Sequence, residues 1–225
     1  MEAEGRPATR TWVNPLILTM MFKSIDYKRI KEVIHHSDPI RCQADDTHTP
    51  ACVFLLLYNR PDPHILAIQK SDTEGYPWRN QVALPGGHME NADSGPLATA
   101  FRELEEELNI SKDQIDFIGS LGHFQTLTQH RDIEAFVGYW RGNGPVRFDP
   151  NEIARVLEIP LNTLIETHHV KSFHLTMPDI RELEYPFKDI IIWGATARIL
   201  YHFIELIYPL IEGRDDSGPE PVARC

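Results

Sequence analysis

Two kinds of hydrophobic pattern alternate along the chain and lay out its elements. Residues 51–58 form an unbroken apolar run of strand length, suited to a central strand buried on both faces. Pro61-Asp62-Pro63 turns the chain, and residues 64–69 give a second strand. A polar loop over residues 71–80 carries Tyr76, Pro77 and Trp78, and a short strand over 81–84 leads into Gly86-Gly87. From Leu97 the pattern becomes helical. At ~100° per residue, Leu97, Phe101, Leu104 and Leu108 fall within roughly 40° of one another, with Pro96 placed where such a helix can begin. Glu103, Glu106 and Glu107 fall together as well, centred roughly 135° from that stripe.

Outside this region the signals are plainer. Ile25, Ile30, Val33 and Ile34 predict an amphipathic helix over residues 24–36, capped by Ser24 or Asp26, and residues 37–50 read as a loop. Residues 115–129 and 133–140 read as two strands joined around His130-Arg131-Asp132. In residues 150–165 the only element expected is a short helix opened by Pro160-Leu161. Residues 168–179 look like a loop, and 182–192 return to strand character. A last helix over 195–211 carries Leu200, Phe203, Ile204 and Ile207 on its apolar side; Pro209 kinks or ends it and Gly213 closes it. Strands flanked by helices at the middle and end of the chain predict an α/β protein with a sheet between helical layers.

A chain of 225 residues is long enough to bury one full core with tails. Residues 23–213 are expected to form that domain, and the polar segment 214–225 a disordered tail. Residues 1–22 are expected to be a poorly ordered extension. Their apolar stretch from Trp12 to Phe22 is too short to span a bilayer, is interrupted by Asn14 and Pro15, and lacks a small-residue cleavage site. Translation starting at Met20 or Met21 would explain it, and the intact mass of the native protein would decide. Cys42, Cys52 and Cys225 are too few and scattered for a disulfide framework or a zinc site, which suits a reducing cytoplasm. The formal charge of −11 argues against nucleic acid or an anionic membrane as partner, and an anionic substrate would need cations to bridge it to this protein.

That need brings the acidic helix forward. Carboxylates at i,i+3 and i,i+4 repel by a few tenths of a kcal/mol per pair. Two readings fit: a solvated acidic face, or ligands for a hard divalent cation such as magnesium or manganese. A strand, glycine loop and helix in succession is also a setting in which backbone amides approach a phosphate.

Residues 87–110 resemble the signature of the Nudix hydrolases, G-x5-E-x7-R-E-U-x-E-E-x-G-U with U aliphatic. Arg102-Glu103-Leu104-Glu105-Glu106-Glu107 matches its core R-E-U-x-E-E without a mismatch. The spacing from Gly87 to Arg102 is one residue longer, leaving Asp93 or Ser94 near the place of the first Glu. Asn109 replaces the last Gly, a mild change because Asn tolerates the left-handed conformation. The resemblance implies an α/β/α sandwich with a mixed sheet and a metal-dependent hydrolase of diphosphates. It implies Glu103, Glu106 and Glu107 as ligands of Mg2+ or Mn2+, with the Gly87 carbonyl as a further one. Arg102 would orient the glutamates, and a general base would come from the helix or from a loop, where Glu152 is the first candidate and Glu134 the second.

Beyond the box, the chain is similar to the coenzyme A pyrophosphatase branch of that family. The branch has the longer spacing followed by T-A-x-R-E, here Thr99-Ala100-Phe101-Arg102-Glu103. It has a K-R-S stretch, where this chain has Gln69-Lys70-Ser71, and a W-G-x-T-A, here Trp193-Gly194-Ala195-Thr196-Ala197. Its H-x-G-Q is replaced by Trp78-Arg79-Asn80-Gln81, which keeps only the Gln. The resemblance implies cleavage of coenzyme A to adenosine 3',5'-bisphosphate and 4'-phosphopantetheine, with Gly86, Gly87, Lys70 and Arg79 as substrate-binding residues. Two alternatives stand beside it. One is another nucleoside diphosphate derivative (NADH, a sugar nucleotide or a dNTP); the other is a non-catalytic nucleotide-sensing module. A homodimer is left open.

Overall fold

The computed structural model describes residues 27–42, 47–60, 62–75, 78–126, 130–142 and 146–211. The expected extension 1–22, the alternative starts at Met20 and Met21, and the tail 214–225 lie outside them.

Strand β1 (Thr49–Asn59) is the centre of the molecule. Phe54, Leu55, Leu56, Leu57 and Tyr58 are all at most 3% exposed, so both of its faces are covered. Side chains alternate across a strand, and the core divides accordingly. Phe54, Leu56 and Tyr58 join one apolar cluster, while Leu55 and Leu57 join another. Around β1 the sheet is mixed. It pairs antiparallel with β2 (Pro63–Lys70) and β4 (Gly86–His88), and parallel with β6 (Arg131–Trp140). Strand β3 (Val82–Ala83) and β7 (Ile153–Pro160) add to β2, and β5 (Ile115–Gln125) adds to β6, giving seven strands.

Helix α1 (Tyr27–His36), α3 (Leu161–Val170) and α4 (Gly194–Ile211) cover one face, burying Ile30, Ile34, Leu164 and Phe203 against it. Helix α2 (Pro96–Leu108) covers the other, burying Phe101, Leu104 and Leu108. The α/β/α sandwich with a mixed sheet is therefore present. A separate hairpin, β8 (Tyr185–Phe187) and β9 (Ile190–Ile192), accounts for the strand character of 182–192.

Two elements differ from expectation. Strand β7 is not visible as a strand in the sequence because Arg155 interrupts its apolar alternation; the guanidinium is taken up by Gln69 at 2.7 Å and Asp189 at 2.8 Å. The helix expected to be short runs on to Val170, because His168 is fully buried. The last helix ends at Ile211 as expected and continues through Pro209, its last turn carrying the buried Tyr208 and Ile211; Gly213 lies outside the described residues. Of the cysteines, Cys52 is buried and free, and Cys225 lies outside the described residues.

Helix α4 also stores a pH dependence. His202 is 5% exposed, and its buried Nε2 meets no partner among the described residues. Burial pulls its imidazole down from 6.5 to about 4, with Glu205 opposing. The unfolded chain therefore takes up this proton first, so stability is complete above pH 6.5 and declines as pH falls toward about 4. At about 1.4 kcal/mol per pH unit the loss reaches about 3 kcal/mol. His202→Leu is expected to flatten that part of the acid limb in urea melts between pH 7 and 4; an unchanged limb would count against it.

Candidate active site

The glycine pair and α2 are built to meet. Gly86 has φ +146°, and a Cβ there would lie 2.1 Å from the Cys52 carbonyl oxygen on β1. Only a residue without a side chain lets β4 lie this close. At Gly87 a Cβ would lie 2.5 Å from the Glu103 carboxylate, so the loop backbone and that side chain share one space. At its far end α2 stops at Asn109, whose φ of 56° is the left-handed cap expected of an Asn standing where the signature has Gly.

Arg102 organises the acidic cluster. Its guanidinium donates to Asp93 through Nε and Nη2 (both 3.0 Å), to Glu103 (2.9 Å), to Glu106 (2.8 Å) and to the His88 carbonyl (2.9 Å). Asp93 also accepts from Thr99 and from the Glu90 amide, and the Arg102 guanidinium holds its carboxyl far below the usual carboxylate range. Asp93, one of the two residues that the longer spacing leaves near the place of the first Glu, is thus the acidic partner of the arginine.

The three box glutamates sit in different environments. Glu106 is 58% exposed. Glu103 is nearly enclosed; burial pushes its carboxyl up, Arg102 pulls it down, and Glu107 and Glu106 push again. Glu107 is buried, accepting from Lys70 Nζ at 2.6 Å and from the Gly86 amide at 2.9 Å. The helix geometry placed these three side by side facing outward. The structure keeps them adjacent but turns Glu107 inward, where Lys70 from β2 supplies its counter-charge.

A cavity of about 680 Å³ opens over this cluster. Glu103, Glu107, Gly86, Gly87, Lys70 and Glu152 line it, together with Trp78, Arg131 and Trp193. Arg102 and Glu106 are not among the lining residues. Arg79 pairs with Asp72 at 2.7 Å, both more than half exposed, and is not among the lining residues. Glu134 is likewise absent from the lining. Burial, then Arg131 and Lys70, hold the His88 imidazole below its ordinary value.

Glu103 and Glu107, with the loop backbone, offer oxygen donors of the kind a hard dication takes. Two glutamates and a tightly apposed backbone loop converge at the cavity wall, and Glu103 is held there with its charge only partly offset. A second set of ligand atoms lies elsewhere: His168, His174 and Glu205 offer atoms all within 4.8 Å of one another and could hold a divalent metal. There Glu205 already accepts from both histidines, at 2.7 and 2.9 Å, and from the Leu175 amide at 3.0 Å. As it stands, that trio pins the loop after α3 to α4, away from the cavity.

A model of the NUDIX domain matches residues 48–177, more than half of the chain. The chain belongs to the Nudix family. It is 27% identical over 164 residues to an uncharacterized Nudix hydrolase, NudL, of Photorhabdus laumondii, covering 72% of this chain and 87% of that protein. NudL of Yersinia pestis is 28% identical over 163 residues, covering 72% and 81%. Solved structures similar to it include the Ap4A hydrolase of C. elegans (18% identity, TM-score 0.43, covering 55% of this chain and 89% of that one). Another is a MutT/nudix family protein of Enterococcus faecalis (14% identity, TM-score 0.47, covering 92% and 83%). The general chemistry of the family, with this carboxylate set, is hydrolysis of a phosphoanhydride bond. Among the described residues no helix of this Nudix protein is long and apolar enough to cross a membrane.

Sequence reasoning missed Arg131 and Trp78. Both stand in segments read as turn or loop, where a basic or aromatic residue has no periodicity to mark it. The aromatic–basic composition of the loop before β3 was the available signal.

Proposed function

We propose that this Nudix protein is a divalent-metal-dependent pyrophosphohydrolase of coenzyme A or its derivatives, yielding adenosine 3',5'-bisphosphate and 4'-phosphopantetheine. One observation carries the reading. The stretches that resemble the coenzyme A branch are far apart in sequence, yet Lys70, Ser71, Gln81 and residues 193–196 line the cavity that holds Glu103 and Glu107. Trp193 is 52% exposed, which a core role would not leave it, while Thr196 ties the start of α4 to the Val82 carbonyl at 3.0 Å.

In this reading Glu103, Glu106 and Glu107, with the Gly87 carbonyl, would hold Mg2+ or Mn2+. When bound, the ion neutralises the diphosphate, activates water and stabilises the leaving oxygen. The protein's share is positioning. Arg102 fixes Glu103 and Glu106, and the Gly86 amide fixes Glu107. Lys70 brings a positive charge to the phosphates at the cavity floor, and the glycine loop lets them approach the backbone. Glu152, exposed on the rim, is favoured over Glu134 as general base because it lines the cavity. Arg79 could reach substrate only by leaving Asp72.

The stretch Trp78-Arg79-Asn80-Gln81, which departs from the branch, favours a second reading: a dinucleotide such as NADH, a sugar nucleotide or a dNTP as substrate. Incubation with Mg2+ or Mn2+ and a panel of coenzyme A, acyl-coenzyme A, dinucleotides, sugar nucleotides and dNTPs, with products identified by mass, separates them. Coenzyme A is expected to be cleaved fastest, with Glu106→Gln slowed at least tenfold. Cleavage of dinucleotides but not coenzyme A would reject the substrate, and no cleavage at all would leave the nucleotide-sensing module.

A further inference from the structure

Three cations around the site are committed, and a fourth, Arg181, lines the cavity from an exposed position. Lys70 is bonded to Glu107, Arg102 to Asp93, Glu103 and Glu106, and Arg79 to Asp72. Arg131 is different. It lines the cavity and is partly buried, and its Nε is inaccessible to solvent with no hydrogen-bond partner among the described residues. No described carboxylate pairs with it; the neighbouring Asp132 bonds His123 instead, at 3.1 Å. Its guanidinium lies 5.5 Å from the centroid of the Trp78 ring. A buried polar atom left without a hydrogen-bond partner is costly, and each such atom calls for an explanation.

Its place in the sheet separates it from the diphosphate loop. Gly86 is opposite Val53, and Val53 is opposite Ala135, whereas Arg131 is opposite Thr49 at the other end of the same strands. Four residues of strand, about 13 Å, lie between the two levels. Between them the wall is apolar, formed by Ala51, Val53 and Ile133. The cavity therefore offers two separate places for negative charge, joined by a greasy surface.

We propose that Arg131, oriented by the Trp78 indole, binds a phosphate monoester on the nucleotide half of the substrate, outside the diphosphate that is cleaved. The proposal deepens the coenzyme A reading and rests on it for the identity of the nucleotide, whose ribose carries such a monoester at its 3' position. A planar guanidinium forks onto phosphate oxygens through two N–H donors, and an aromatic face holds that plane still. A site built around such a bond discriminates strongly against a ligand lacking the group, because the arginine is then left unpaired.

The test uses the full-length protein in EDTA, titrated calorimetrically with adenosine 3',5'-bisphosphate and with 5'-AMP, which differ by that one group. The wild-type protein is expected to bind the bisphosphate at least tenfold more tightly. In Arg131→Ala, and in Arg131→Met, which keeps the stem against Trp78, that ratio is expected to fall to within twofold of unity. Arg131→Lys should retain part of it. With Mg2+ present, Arg131→Met should raise KM for coenzyme A while leaving kcat within about threefold, and should leave KM for 3'-dephospho-coenzyme A where it was. Equal binding of the two ligands by the wild-type protein, or a preference that survives both variants, would overturn the proposal. Bisphosphate preference through Arg131 without coenzyme A cleavage would instead overturn the substrate and leave the arginine's role standing.

Discussion

Replacing Glu103 with glutamine is expected to lower kcat at least a hundredfold without unfolding the protein. The isosteric amide still accepts a hydrogen bond from Arg102, which also keeps its two bonds to Asp93. It removes one of three neighbouring carboxylates, so repulsion within α2 falls and the melting temperature in EDTA should hold or rise. What is lost is a negative ligand at the place where the phosphates would be neutralised, a difference worth several kcal/mol in the transition state. Gly87→Ala reaches the same end by geometry, because its Cβ would sit 2.5 Å from that carboxylate and must displace it. Steady-state rates at saturating Mg2+, with thermal melts beside them, check both. Turnover within tenfold of wild type in both variants would remove Glu103 from the chemistry.

Lys70→Met is expected to produce a different signature, a loss of stability that a metal repairs. Lys70 and Glu107 are 13% and 7% exposed and 2.6 Å apart. Removing one partner of a buried pair leaves the other charge uncompensated, at a cost of roughly 3 kcal/mol. The Gly86 amide still bonds Glu107 but brings no net charge. In EDTA the urea midpoint should fall accordingly. Added Mn2+ should restore most of it, because a dication can occupy the space beside Glu107 that the ammonium held, and the recovery should be larger than any Mn2+ effect on the wild-type protein. A loss that Mn2+ does not touch would separate Lys70 from the metal site.

Much of the local architecture can be read from the chain. The run 51–58 is central and doubly buried because nothing polar interrupts it, and the stripe from Phe101 to Leu108 faces the sheet as its spacing requires. Arg155 shows the opposite case: one charged residue in β7 conceals a strand whose partner, Gln69, lies on β2. The site divides the same way. Arg102, Glu103, Glu106 and Glu107 are adjacent in sequence and recognisable as a set. Arg79 reads like a phosphate contact but is held by Asp72 outside the cavity. Arg131 gives no local sign at all and emerges only where β6 meets β1.

By itself the sequence determined what depends on near neighbours: the helix with its acidic face, the glycine loop, the buried strand and the family signature. These follow from periodicities of a few residues and from backbone conformations that single residues allow. Tertiary structure alone decided which charges cancel. Glu107 is answered by Lys70, Asp93 takes Arg102, and Arg131, paired with no carboxylate among the described residues, lies beside Trp78, because Coulomb attraction and desolvation act through space between strands and carry no trace of order along the chain.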